Sequence, residues 1–305
     1  MNFKRLSVII HLKGGQHVVS ILSFYGKLRT FGSVLLPIII FFGCSGNAPQ
    51  RVESEKTQNN SENPNLPIYT VTRTTEAIIV DGKLEEQDWH RAVEAHLKDI
   101  VTGDDVRLKT TVRFLWDETY LYIGTYFEDP DAWTTFTEED DSLWLNEVVE
   151  FFIDADRNGH NYIELQFNPA NAKLDLLVSN AGKRLNGKVK IWREWDFDKL
   201  QGAVYVEGDG LNAGTNDEYW TTEVAVPFDD IWELAEIPPK DGDIWHLNVY
   251  RIEQNHEKDK REGSFVAAYS PVFRDNGHTP WLFGKIQFKM CASLEIPASA
   301  YGRGE

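Results

Sequence analysis

An all-β fold is predicted: a two-sheet antiparallel β-sandwich, immunoglobulin-like or jelly-roll-like, with short peripheral helices. Three observations lead there. Short runs alternate apolar and polar residues with the two-residue period of a half-buried strand. Clusters of Gly, Asp, Asn and Pro bound these runs. Only 84–95 (LEEQDWHRAVEA) and 227–235 (PFDDIWELA) have helical spacing, and both are short. Regularly spaced strands without long helices pack as two facing layers. No internal repeat is evident, and 305 residues with 42% hydrophobic and 12% aromatic content can build a sizeable core.

The chain opens with a basic stretch. Residues 1–52 hold Lys4, Arg5, Lys13, Lys27, Arg29 and Arg51 but no acid, so all 48 carboxylates lie beyond them. An apolar run from Phe31 to Gly43 follows. It is too short for a bilayer, which takes about 20 residues, but suits the apolar region of an export signal. The run ends FFGC, which resembles a lipoprotein lipobox in Gly43 and Cys44, with Phe41 in place of the usual Leu. A lipoprotein-type signal peptide over 1–43 and lipidation at Cys44 are expected. A plain secretory signal with an incidental cysteine is the alternative. The stretch before Lys27 is long for such a signal, which a misplaced start codon explains. The predicted location is the cell envelope, membrane-anchored and facing the periplasm or the cell surface. Residues 44–67 are polar and cannot bury enough surface to fold, so they read as a flexible tether. The domain is expected over 68–291, with 292–305 as a tail. With Cys44 acylated, Cys291 is the sole thiol and no intrachain disulfide forms.

Inside the domain, TTVRFLW (110–116) sets Val112, Phe114 and Trp116 on one face, WDET makes a turn, and YLYIGTYF (120–127) returns. In VVEFFID (148–154), Val149, Phe151 and Ile153 point one way and Val148, Glu150 and Phe152 the other. In the next strand Ile163, Leu165 and Phe167 are the apolar side, opposite Tyr162, Glu164, Gln166 and Asn168. Two adjacent strands can thus present Glu150, Glu164 and Gln166 on one surface, with Trp144 where the chain enters. Sugars suit such a surface, because their hydroxyls need planar donors and acceptors and their C–H faces pack on rings. The same polar residues also fit the solvated side of a half-exposed sheet. YWTTEVAV (219–226) and WHLNVYRI (245–252) complete the strands, with Trp116, Trp220 and Trp245 expected in the core.

The order and spacing of these blocks, from IIVDGKLEEQDW at residue 78 to FGKIQF ending at Phe288, resemble the family 9 carbohydrate-binding modules. The resemblance implies that two tryptophans sandwich a terminal sugar while strand residues bond its hydroxyls. Trp144 matches the first tryptophan, Glu150 a sugar-bonding glutamate, and Gln166 a position that carries arginine in some members. The second tryptophan falls on Gly277, where His278, Phe273 or Trp281 are candidate substitutes. The family implies structural calcium, and its modules occur joined to xylanases and other glycoside hydrolases. The expected function is therefore non-catalytic binding of poly- or oligosaccharide, assisting polysaccharide breakdown or capture alongside such hydrolases.

Asp154, Asp156 and Asn158 before Gly159 resemble the start of a calcium loop, but position twelve is Leu165, and a tight turn explains the same residues. Glu147 with Glu150 or Glu164 would be the carboxylate pair of a glycoside hydrolase, an alternative to binding. A structural envelope scaffold without sugar affinity is a further alternative. Haem is not expected: Met290 is the one domain methionine, and His160, His246 and His278 fit loops and strand faces. No phosphate-cradling glycine loop points to a nucleotide. A net charge of −17 opposes nucleic acid as a partner.

Overall fold

The computed structural model describes residues 7–12, 15–20, 66–179, 189–214, 216–231, 234–256 and 263–290. The apolar run to Cys44, most of the tether, Cys291 and the tail lie outside these residues. The chain divides into two compact units, 1–57 and 58–305. In the first, β1 (Ser7–Leu12) pairs antiparallel with β2 (Gly15–Ser20). No described helix is long and apolar enough to cross a membrane.

The second unit is mostly β. Its elements are β3 (Ile68–Arg73), α1 (Gln87–Arg91), β4 (Ala95–His96), β5 (Lys98–Asp99), β6 (Thr110–Trp116) and β7 (Tyr120–Glu128). Then come β8 (Val148–Asp154), β9 (Asn161–Phe167), β10 (Lys173–Ser179), β11 (Lys190–Trp192) and β12 (Gln201–Gly208). The unit closes with β13 (Asp217–Pro227), β14 (Ile244–Glu253), β15 (Phe265–Ala268) and β16 (Gly284–Lys289). Helical structure is shorter than the sequence spacing suggests. In the 84–95 stretch the backbone turns extended at Ala92, and Ala95 and His96 pair with β6 instead. In the 227–235 stretch a 3-10 turn covers Phe228–Ile231.

The expectation of two purely antiparallel sheets is corrected. Hydrogen bonding runs through one path, β11-β10-β9-β8-β14-β16-β3-β6-β7-β13-β12, and the sheet is mixed. The reason lies in β3, which inserts between β16 and β6 and pairs parallel to both. The sheet curls so that its arms face each other: a Cβ on Gly202 in β12 would sit 2.2 Å from the Phe167 ring in β9. Between the arms, Val149, Phe151, Ile153, Ile163 and Leu165 meet Phe114, Ile123, Trp220 and Val224 in the main core. Trp116, Trp220 and Trp245 are buried there as expected.

The outer face of β8 and β9 is not a solvated side. Val148, Phe152 and Tyr162 pack with Leu174, Leu176, Tyr250 and Phe283 in a second core, so every residue of β8 is buried. At roughly 25 cal/mol per Å² of apolar surface, burial on both faces stabilises these strands. On the opposite arm, Trp89 from α1 covers Leu115, Tyr122 and Ala225, and its Nε1 donates to Glu223 Oε1 at 2.7 Å.

Candidate functional site

A pocket of about 360 Å³ opens on the outer face of β8 and β9. Its floor is strand-borne. Glu150 stands opposite Gln166 in register, and Glu164 lies one alternate position along β9. Gln166 Nε2 donates to Glu150 Oε1 at 3.2 Å and to Glu164 Oε1 at 2.7 Å, so one amide holds both carboxylates. Glu164 Oε2 and Gln166 Oε1 are buried without a partner in the protein.

Burial governs the charge of this floor. It pushes the Glu164 carboxyl up to about 7, against the lowering effects of the Gln166 bond and the Arg193 charge. Burial also raises Glu150 well above the usual range, and the neighbouring Glu164 charge adds to it. A carboxyl that holds its proton can donate as well as accept, which suits a ligand whose hydroxyls do both.

Trp144 supplies one wall. It lies in the 3-10 turn Leu143–Leu145, where the fully buried Leu143 anchors the turn in the second core and leaves the Trp144 ring half-buried at the pocket. The Arg193 guanidinium stacks over that ring at 5.0 Å, and Arg193 and Ile191 also line the pocket. His278 supplies another wall. Its Nδ1 pairs with the Tyr162 hydroxyl at 2.7 Å, its ring lies 5.3 Å from Phe152, and burial lowers its pKa, which keeps it neutral.

Gly277, where the resemblance expects a tryptophan, also lines the pocket. A Cβ there would lie 3.3 Å from the Tyr250 ring and 3.6 Å from that of Phe152, and the Tyr250 hydroxyl donates to the Gly277 carbonyl. Packed aromatics hold this edge, and the adjacent imidazole of His278 is the nearest planar group in sequence.

Of the residues singled out from the sequence, the structure therefore brings together Trp144, Glu150, Glu164, Gln166 and His278. It does not bring Asn168 or Trp281 to the pocket. Asn168 is buried, donating to Thr134 Oγ1 and the Phe136 carbonyl and accepting from Ala170 and Ala172, so it ties the β9–β10 turn. Trp281 is 47% exposed and absent from the lining, and Phe273 is likewise exposed against Gly103. Arg193 and Ile191 went unremarked. Their signal was KIWREWDF (190–197), a run mixing bases and aromatics outside any clear period.

Three acidic groups bear on metal. Asp154, Asp156 and Asn158 spend oxygens on their own hairpin: Asp154 accepts from Gly159, Asp156 from Asn158, and Asn158 from His160. Burial raises Asp154 to about 7. Asp129, Glu147 and Glu253 place oxygens within 4.8 Å of one another, but a cation is already built in. The fully buried Arg251 donates to Asp129 Oδ2 at 3.1 Å and to Glu253 Oε2. That set does not fit a divalent ion. Asp140, Asp175 and Asp196 show the same spacing without such a cation, and Asp175 Oδ1 is buried and unpartnered, which fits a hard ion.

Residues 80–181 match the family model described as Carbohydrate family 9 binding domain-like. The chain is 31% identical over 87 residues to Endo-1,4-beta-xylanase A of Thermotoga maritima, and 29% identical over 87 residues to that of Thermotoga neapolitana. Each match covers 28% of this chain and only 8% of the xylanase. Among solved structures, a putative carbohydrate-binding protein from Bacteroides uniformis aligns with TM-score 0.58 at 14% identity, over 73% of this chain and 100% of that one. A family 9 module from Caldicellulosiruptor kristjanssonii in complex with cellotriose aligns with TM-score 0.47 at 15% identity, over 78% and 99%. Through residues 80–181, this chain is similar to the carbohydrate family 9 binding domain-like family.

Proposed function

We propose that the chain is a non-catalytic carbohydrate-binding module whose ligand is a poly- or oligosaccharide held in the Trp144 pocket. The observation that carries this reading is one cavity combining a half-buried tryptophan, two carboxyls bridged by an amide, a guanidinium and a neutral imidazole. Such a wall can stack on a sugar ring while the floor exchanges hydrogen bonds with its hydroxyls. The finer expectations belong to the same proposal: a sandwich-type module, exported and anchored through Cys44, that assists glycoside hydrolases in breaking down or capturing polysaccharide. The test is calorimetric titration of the full-length chain with xylan, cellulose and mannan fragments. Saturable binding is expected, and Trp144→Ala should remove about 1–3 kcal/mol of it. Binding unchanged in that variant would refute the site. No binding to any glycan would favour the scaffold alternative.

One observation bears on the glycoside hydrolase reading: two carboxyls with raised pKa share the pocket. They rise from adjacent strands and are tied to the same amide, whereas hydrolysis needs an acid and a second carboxylate flanking the scissile bond. Incubation with the same fragments is expected to leave them uncleaved.

A further inference from the structure

We propose that the Trp144 pocket takes a sugar bearing a free amine, a hexosamine unit whose ammonium rests on the floor formed by Glu150, Glu164 and Gln166. This inference rests on the carbohydrate reading and names the class of sugar. The hydrogen-bond inventory of the floor carries it. A glutamine amide nitrogen has two hydrogens, and Gln166 Nε2 directs them to Glu150 Oε1 at 3.2 Å and Glu164 Oε1 at 2.7 Å. The amide donor is thus spent inside the protein. What remains accepts: Glu164 Oε2 and Gln166 Oε1 are buried and unpartnered, on residues only 4% and 1% exposed that line the cavity. An ammonium carries three donors and no acceptor, so it complements such a set, whereas a hydroxyl brings an acceptor along with its donor.

Charge leads to the same ligand. Among the described residues, no cationic group of the protein is hydrogen-bonded to either carboxyl. Burial outweighs both the Gln166 bond and the Arg193 charge at Glu164. Arg193 itself is engaged elsewhere, stacked on Trp144 at 5.0 Å with Nη1 donating to the Asp140 carbonyl at 3.2 Å. His278 is kept neutral by burial. A buried pair of carboxyls without a cation holds protons instead. An arriving ammonium takes the place of such a proton: the carboxyl O–H releases it to solvent, and the carboxylate accepts a charge-assisted bond from the amine. Trp144 then covers the C–H face of the same ring. At longer range, a net charge of −17 draws a cationic sugar toward the chain.

The pH dependence of binding follows from the groups that face the pair. Glu150 comes from β8, Tyr162 and Glu164 from β9, Tyr250 from β14, Arg193 from the segment after β11, and His278 from the loop before β16. Burial raises both tyrosines and lowers His278, and an arginine keeps its charge throughout, so the carboxyls are what changes between pH 5 and pH 7. They shed protons across that range. Affinity for the amine therefore rises with pH, while affinity for a neutral sugar does not.

The experiment is calorimetric titration of the full-length chain with three trisaccharides: the glucosamine trimer, its fully N-acetylated form, and cellotriose. At pH 6 the glucosamine trimer should bind about tenfold more tightly than either neutral trimer, the difference between a charged and a neutral hydrogen bond. Its affinity should rise severalfold from pH 5 to pH 7. Glu164→Gln, and separately Glu150→Gln, should reduce the preference for the amine at least severalfold, a ratio that a purely structural role for either carboxyl would leave unmoved. Neutral trimers bound as tightly as the amine in the parent would overturn the inference and leave the carbohydrate reading standing. No binding of any trimer would remove both. An amine preference unchanged in both variants would assign it to the acidic surface at large and overturn the site. So would 1,5-diaminopentane, an amine without a sugar ring, binding as tightly as the trimer.

Discussion

Gln166 is the residue on which the floor depends. Its amide nitrogen is the donor to both Glu150 and Glu164, and the pair faces it from within the sheet. Gln166→Leu should lower stability by about 1–3 kcal/mol in urea unfolding, because two buried acceptors lose their shared donor. Gly277 argues in the other direction. With Tyr250 3.3 Å from where a Cβ would sit, Gly277→Trp should lower the melting temperature and fail to tighten glycan binding, although it restores the residue expected there. Glu150, Glu164 and Gln166 were legible because a two-residue period fixes which side chains share a face. Asn168 and Trp281 were misplaced for a related reason. The period puts Asn168 on the right face, but its partners Thr134 and Phe136 lie in a loop that no periodicity describes.

At the scale of elements, β8 and β9 were readable as strands, but their surroundings were not. The alternation suggested one wet face, whereas Tyr250, Phe283 and Leu174 arrive from distant segments and cover it. The covering turns a row of polar side chains into a pocket. The facing of β9 and β12 is equally non-local, and it can be probed at its tightest point. Gly202→Ala should destabilise by about 1–3 kcal/mol in thermal or urea unfolding, since the added methyl would meet the Phe167 ring inside van der Waals contact. The parallel pairings of β3 were illegible for the same cause: Ile68 and Lys285 are partners, and nothing near either announces the other. The helical stretches were over-read because apolar spacing persists past Ala92, while the backbone is claimed by β6.

For the whole molecule, buried acids set the response to pH. Glu164, Asp154 and Glu223 are each raised by burial to about 7, from ordinary values of 4.5, 3.8 and 4.5. Across that window the folded chain holds protons that the unfolded chain has released. The stabilisation they give is complete below about pH 4 and is lost as pH climbs to about 7. The melting temperature should therefore be higher at pH 5 than at pH 8 at constant ionic strength, and Glu164→Gln should flatten the slope. Fold class was legible at this scale from composition and turn spacing, whereas the single mixed path was not, because it depends on where one strand enters. That strand has a mechanical meaning. Because β3 lies between β16 and β6 with its start at Ile68 beside Lys285, a pull through the residues preceding Ile68 runs along the strand. The bonds to both neighbours are then strained together in shear and cannot be unzipped one after another. A domain seized by its ligand and held from its N-terminal side would resist extraction at the seam where its first and last strands meet.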